Sequence, residues 1–149
     1  MRLSTFSDYS LRVLMYLGME PGRLATIAEI AEAYGISEAH LMKVIHQLGR
    51  AGFVETVRGK GGGVRLGCPP RKIVLGEVIR QTENDTGLAG CFSETKSCRI
   101  KGVCRLTGIL DEAMQGLFLV LDGYTLADLV ESPEPLAEAV NFPTCRRPA

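Results

Sequence analysis

The chain has 149 residues, of which 46% are hydrophobic and 23% charged, and its formal net charge is zero. That length suits one domain with an appended element and supplies enough apolar side chain for a packed core. The start, MRLSTFSDYSLRVLMYLGMEPG, has neither an apolar run of membrane-spanning length nor a small-residue cleavage site, so a cytoplasmic location is the default expectation.

The first helix is expected over about Thr5 to Leu17, where Leu11, Val13, Leu14 and Leu17 recur at helical spacing, with Ser7 or Thr5 as N-cap. Glu20-Pro21-Gly22 closes it. A shorter helix from Thr26 to about Ala33 turns Ile27, Ile30 and Ala31 inward, and Thr26 with Glu29 has capping-box spacing. After the turn Tyr34-Gly35-Ile36, Ser37 caps a helix running to about Ala51. Its apolar face is Leu41, Val44, Ile45 and Leu48, and Gly52 follows where a terminating glycine belongs.

Two strand-like runs come next, Phe53–Val57 and Val64–Leu66, separated by Arg58-Gly59-Lys60-Gly61-Gly62-Gly63, which reads as a mobile hairpin tip. Lys72 to about Gln81 reads as a strand turning into a short helix. The hydrophobic period then fails from Thr82 to Gly102 and returns in a helix from Arg105 to Leu121. That helix carries a stripe of Leu106, Ile109, Leu110, Ala113, Met114, Leu117, Phe118 and Leu121. Too little sequence follows to cover the stripe, so a second copy of the chain is the economical partner and a twofold dimer is expected. A short capped helix covers Tyr124–Val130, and the tail from Glu131 is expected to fray.

The expected fold is mainly α with a small β-hairpin wing: a winged helix-turn-helix followed by a long C-terminal dimerisation helix. It divides into a DNA-binding domain (1–80), a cysteine-bearing loop (81–104), a dimerisation helix with a short cap (105–131) and a flexible tail (132–149). In a winged helix the N-terminal part of the second helix of the pair enters the major groove. The residues placed there are Ser37, Glu38, His40 and Lys43, while Arg58 and Lys60 on the hairpin, with Arg65 beside them, suit phosphates or the minor groove. Charge agrees with that reading. Residues 1–80 carry 11 Lys and Arg against 7 Asp and Glu, and the six basic residues from Arg50 to Lys72 face a single acid, Glu55. His40 and His46 do not share one helix face, so surface or groove-facing roles are preferred over metal binding.

Five cysteines in a chain without a targeting signal point to metal binding or redox sensing rather than disulfides. Cys91, Cys98 and Cys104 lie close enough in sequence to converge on one soft metal centre. The absence of paired CxxC motifs tilts the choice from zinc toward an iron–sulfur cluster, and either metal wants a fourth ligand. Cys68 and Cys145 rank low as ligands. No nucleotide loop or catalytic dyad is present, so an enzyme is not expected.

MRLSTFSDYSLRVLMYL, LMKVIHQLGRAGFVETVRGKGGGVRLG, the three-cysteine loop and DGYTLADLV together resemble the winged-helix iron–sulfur repressors of the IscR/NsrR family, over about residues 1–131. Within that family the chain is most similar to the nitric-oxide-sensing NsrR-type branch. The cluster-assembly branch has a histidine ligand three residues after its third cysteine, where this chain has Thr107. The resemblance implies a homodimer on double-stranded operator DNA and an iron–sulfur cluster, [4Fe-4S] in preference to [2Fe-2S]. Its ligands would be Cys91, Cys98 and Cys104 with Asp8 of the partner subunit, and nitric oxide would be the signal. An iron–sulfur or redox-status regulator of the other branch, and a zinc-stabilised winged-helix regulator, are the alternatives.

Overall fold

The computed structural model describes residues 2–83, 99–100 and 103–143. Among these the elements run α1 (Thr5–Met19), α2 (Ile27–Tyr34), α3 (Glu38–Arg50), β1 (Val54–Val57), β2 (Gly63–Leu66), a 3-10 turn (Pro70–Lys72), α4 (Leu75–Thr82), α5 (Arg105–Asp122), α6 (Leu126–Leu129) and α7 (Pro133–Ala139). The fold is mainly helical with a two-stranded antiparallel hairpin, as expected from the sequence.

Local chemistry sets most helix starts. The Thr26 and Ser37 hydroxyls accept the backbone N–H groups of Glu29 and His40, satisfying donors that a helix leaves orphaned at its first turn. Thr125 and Asp128 form a reciprocal capping box at α6. Gly35 takes the left-handed conformation (φ 63°) that ends α2 and lets the chain turn into α3. The start of α1 differs from expectation: its cap is Ser4, whose side chain accepts from Ser7 N–H, rather than Thr5 or Ser7.

The core gathers one face of each of the first three helices and the inner residues of the wing. Val13, Leu14, Ile30, Leu41, Val44, Leu48, Val54, Val64, Ile73 and Leu126 are all fully enclosed or nearly so. Leu41, Val44, Ile45 and Leu48 recur at three and four residues, so α3 buries one face and leaves its opposite face to solvent. The hairpin pairs Val54 with Leu66 and Val57 with Gly63. Its second strand is also held to the loop before α2, through Ala25 N–H to Val64 O (2.9 Å) and Val64 N–H to Ala25 O (2.8 Å).

Two segments depart from the sequence expectation. No strand precedes α4; instead Val74 makes an isolated bridge with Thr125, tying the chain before α4 to the chain after α5. The tail does not simply fray: Pro133 starts α7, and Phe142 beyond it packs on Tyr16 with ring centroids 4.8 Å apart. Proline is favoured at a first helical position because its missing N–H would be unpaired there anyway. Residues 144–149, including Cys145, lie outside the described residues.

A half-buried polar network joins the first two helices. Glu29 Oε1 accepts from Tyr16 Oη (2.6 Å) and Arg23 Nη1 (2.6 Å). Burial alone would raise the Glu29 pKa, but the Arg23 and Tyr16 hydrogen bonds outweigh it and hold the carboxyl below its usual range. Tyr16 is pushed upward, first by burial and then by the same carboxylate. A lowered carboxyl pKa contributes stability that is complete above the unfolded value of about 4.3 and is lost as pH falls through the folded value. Glu29→Gln should therefore flatten the acid limb of stability against pH, and Tyr16→Phe should cost about 1–2 kcal/mol at neutral pH, both measured by denaturant unfolding.

Candidate nucleic-acid interface and cysteine segment

The exposed face of α3 begins at its cap and carries Ser37, Glu38, Ala39, His40, Met42 and Lys43, all solvent-facing. Ser37 Oγ lies 2.9 Å from His40 Nδ1, so the residue that caps the helix also orients the imidazole beside it. Tyr9 of α1 sits against His40, centroids 6.3 Å apart, and extends this surface in a way the sequence did not signal. Contact between a first-helix tyrosine and a third-helix histidine is purely tertiary and has no local pattern.

Arg58 and Lys60 both stand exposed near the hairpin tip. Arg65 does not match them. It pairs with Glu55, its cross-strand partner in the register, so its charge is already countered within the hairpin. The tip itself depends on glycine. A Cβ on Gly62 would lie 2.2 Å from Val57 O, and one on Gly63 would lie 2.6 Å from Ala25 O. At these two positions backbone atoms occupy the space where a side chain would start, whereas Gly59 (φ 98°) and Gly61 (φ 76°) are open to space but take the left-handed conformation that favours glycine.

Of the cysteine set, Cys91 and Cys98 lie outside the described residues. Cys104 is half-buried and stands at the N-cap of α5, making no side-chain cap hydrogen bond. The first N–H groups of a helix lack intrahelical partners, so α5 presents backbone donors beside this sulfur. One turn on, Thr107 Oγ1 is enclosed and finds no hydrogen-bond partner among the described residues. A thiol, free backbone donors and an unpartnered hydroxyl form a donor set that fits a soft, anionic metal–sulfur group. Among the described residues no three metal-ligating side chains converge on one point.

Asp8 lies in the first turn of α1, half-exposed, and forms an ion pair with Arg12 at 3.0 Å. The helix that carries it is bound to the end of α4 from which the cysteine segment departs. Ser7 Oγ and Thr82 Oγ1 share a buried hydrogen bond (2.8 Å), and Ser4 N–H donates to Glu83 Oε1 (2.7 Å). Sequence reading missed both contacts, whose partners are 75 and 79 residues apart. Cys68 is half-buried beside the core and joins none of these groups. A cavity of about 270 Å³ between Tyr16, Glu29, Glu32 and Asn141 holds none of the candidate residues.

Comparison with known proteins was consistent across sequence and structure. A family model described as "Rrf2: Iron-dependent Transcriptional regulator" matches residues 3–132. The "HTH-type transcriptional regulator NsrR" of Bacillus subtilis (strain 168) is 51% identical over 144 residues, spanning 95% of this chain and 99% of that protein. Among solved structures, T. potens IscR is similar with a TM-score of 0.71 and 29% identity, over 91% of this chain and 90% of that one. The oxidized form of Staphylococcus aureus CymR gives 0.70 and 26%, over 88% and 97%.

Gly63→Ala should destabilise the domain by about 1–3 kcal/mol, because the added methyl must break the Ala25–Val64 bridge. Thermal unfolding with amide-exchange protection at Val64 measures this, and Gly22→Ala, where no atom lies within 4 Å of the added carbon, separates crowding from backbone strain.

Proposed function

The chain belongs to the Rrf2 family and is an NsrR-type regulator, and from that premise we propose a homodimeric repressor whose grip on an inverted-repeat operator is set by an iron–sulfur cluster reacting with nitric oxide. The observation that carries the reading is the exposed start of α3 flanked by a glycine-built basic wing, in a chain whose cysteine segment lies between α4 and α5.

Residues 1–80 act as the DNA-reading domain. Ser37, His40 and Lys43 enter the major groove, and Arg58 and Lys60 neutralise phosphates flanking it, with Arg65 a weaker contributor because of Glu55. Residues 81–104 carry Cys91, Cys98 and Cys104 as thiolate ligands, with Asp8 of the partner subunit closing the set. Residues 105–131 form the dimer contact through the outer face of α5. Oxygen is an acceptable but weaker partner for iron than sulfur, which makes Asp8 the labile ligand. When bound, the cluster, [4Fe-4S] in preference to [2Fe-2S], supplies iron that reacts with nitric oxide. Asp8 would join the first helix of one subunit to the cysteine segment of the other, so its hold on the group would couple the two reading domains. Arg12 is placed to pair with the same carboxylate. To relieve repression, loss of that coupling must weaken operator affinity by about 3 kcal/mol, near a hundredfold.

Replacing Cys91, Cys98 or Cys104 by alanine should yield a colourless, folded protein with operator affinity weakened by about a hundredfold. Unchanged affinity in all three would contradict the reading. Replacing Arg58 and Lys60 by alanine in both subunits should reduce the slope of log affinity against log salt by about 3 to 4, measured by titration of labelled operator at several salt concentrations.

A further inference from the structure

No side chain of α5 is fully buried, and Leu106, Ile109, Leu119 and Val120 are 55–78% exposed. The direction in which this helix leaves the reading domain therefore rests on few contacts. One is the backbone joint at its end, where Leu75 N–H donates to Tyr124 O (3.0 Å) and Leu126 N–H donates to Ile73 O (2.8 Å). That joint fixes a point. A second, formed by side chains, fixes a direction: Arg80 of α4 donates through both terminal nitrogens to Asp122, at 2.8 and 2.7 Å. The same guanidinium lies over the Phe118 ring, 4.3 Å from its centroid, one turn further along α5. A planar fork held edge-on by a carboxylate and face-on by a ring leaves little freedom in the angle between the two helices.

The backbone is shaped around this contact. A Cβ on Gly76 would lie 1.9 Å from Asp122 Oδ1 and 3.2 Å from Arg80 Nη1. Glycine at 76 is what lets the carboxylate lie across α4.

We propose that the Arg80–Asp122 fork, seated on Gly76, sets the distance between the two DNA-reading helices of the dimer and so selects the spacing of the operator half-sites. The inference rests on the dimeric DNA-binding reading above and adds the residues that define its geometry. Leverage explains why one exposed ion pair, worth little to stability, matters here. An 18-residue helix is about 27 Å long at 1.5 Å per residue. Tilting it by about 7° about one end displaces the other by about 3.4 Å, the rise of one base pair. Arg80, Asp122 and Gly76 are positioning residues; none is placed on the DNA.

The test uses anaerobically purified, cofactor-loaded full-length protein. A duplex selected by the wild type from a random pool is resynthesised with its centre one base pair longer or shorter. Wild type should discriminate against the altered spacings by about tenfold. Asp122→Asn, which removes the ionic fork, and Gly76→Ala, which displaces the carboxylate without changing charge, should both reduce that discrimination to about threefold or less while remaining dimeric by light scattering. Glu77→Gln changes net charge as Asp122→Asn does, and Glu77 touches Arg80 from α4 alone (2.9 Å), so its spacing profile should match wild type. Wild-type spacing preference in both Asp122→Asn and Gly76→Ala overturns the proposal, as does equal flattening in Glu77→Gln. A wild type that selects no duplex at all would instead overturn the DNA-binding reading.

Discussion

Burial of Leu126 against α1 ties the far end of α5 back into the reading domain. Leu126 is fully enclosed, and a Cβ on Gly18 of α1 would lie only 3.3 Å from its Cδ2 atom, so the absence of a side chain at 18 makes the seat. The near end of the intervening segment is tied to the same helix through Ser7 with Thr82 and Ser4 with Glu83. Glu83 before the intervening segment and Leu126 after α5 are thus both tied to α1. Under the proposed function, a change of occupancy at Cys91, Cys98 and Cys104 would have two routes to DNA: the start of α1, where Asp8 stands, and the direction of α5. Removing the Leu126 side chain beyond Cβ would cost about 2–5 kcal/mol, which puts this anchor among the larger single contributions to a domain of marginal stability.

Exposure and charge divide the surface between two tasks. The outer face of α5 keeps large apolar side chains in solvent, an arrangement a stable monomer does not favour and a second copy would cover. The wing and the start of α3 keep cations and small polar groups free. Within that basic region the Glu55–Arg65 pair is the exception, since the two charges cancel across the hairpin, while Arg58 and Lys60 near the tip form no ion pair among the described residues. Net charge across the whole chain is zero, yet the reading face is basic, because the acids are concentrated after residue 80.

What could be read from the sequence was local. Thr26, Ser37 and Thr125 signal their helices because a cap needs only its own first turn, and the apolar stripe of α3 follows from spacing alone. Thr5 and Ser7 were read as caps of α1 because both are competent, whereas the cap is Ser4, which tertiary contact with Glu83 favours. Residues 133–139 read as tail because two prolines suggest breakage, whereas Pro133 opens a helix whose order comes from the distant Tyr16–Phe142 contact. The expected strand before α4 is reduced to one bridge, its partner being Thr125, some fifty positions away. For the site, residue types and neighbourhood were legible, while the pairing of Arg65 and the Arg80–Asp122 fork were not, being contacts between elements.

Operator affinity measured under anaerobic conditions during stepwise addition of nitric oxide, with iron and sulfide counted in the same samples, tests the central claim most directly. The expected result is protein that starts with iron and sulfide bound, holds its operator tightly, and loses affinity by about a hundredfold in proportion to the gas consumed. Protein that is free of iron from the start, yet holds the operator at full strength whether or not the gas is present, would contradict it.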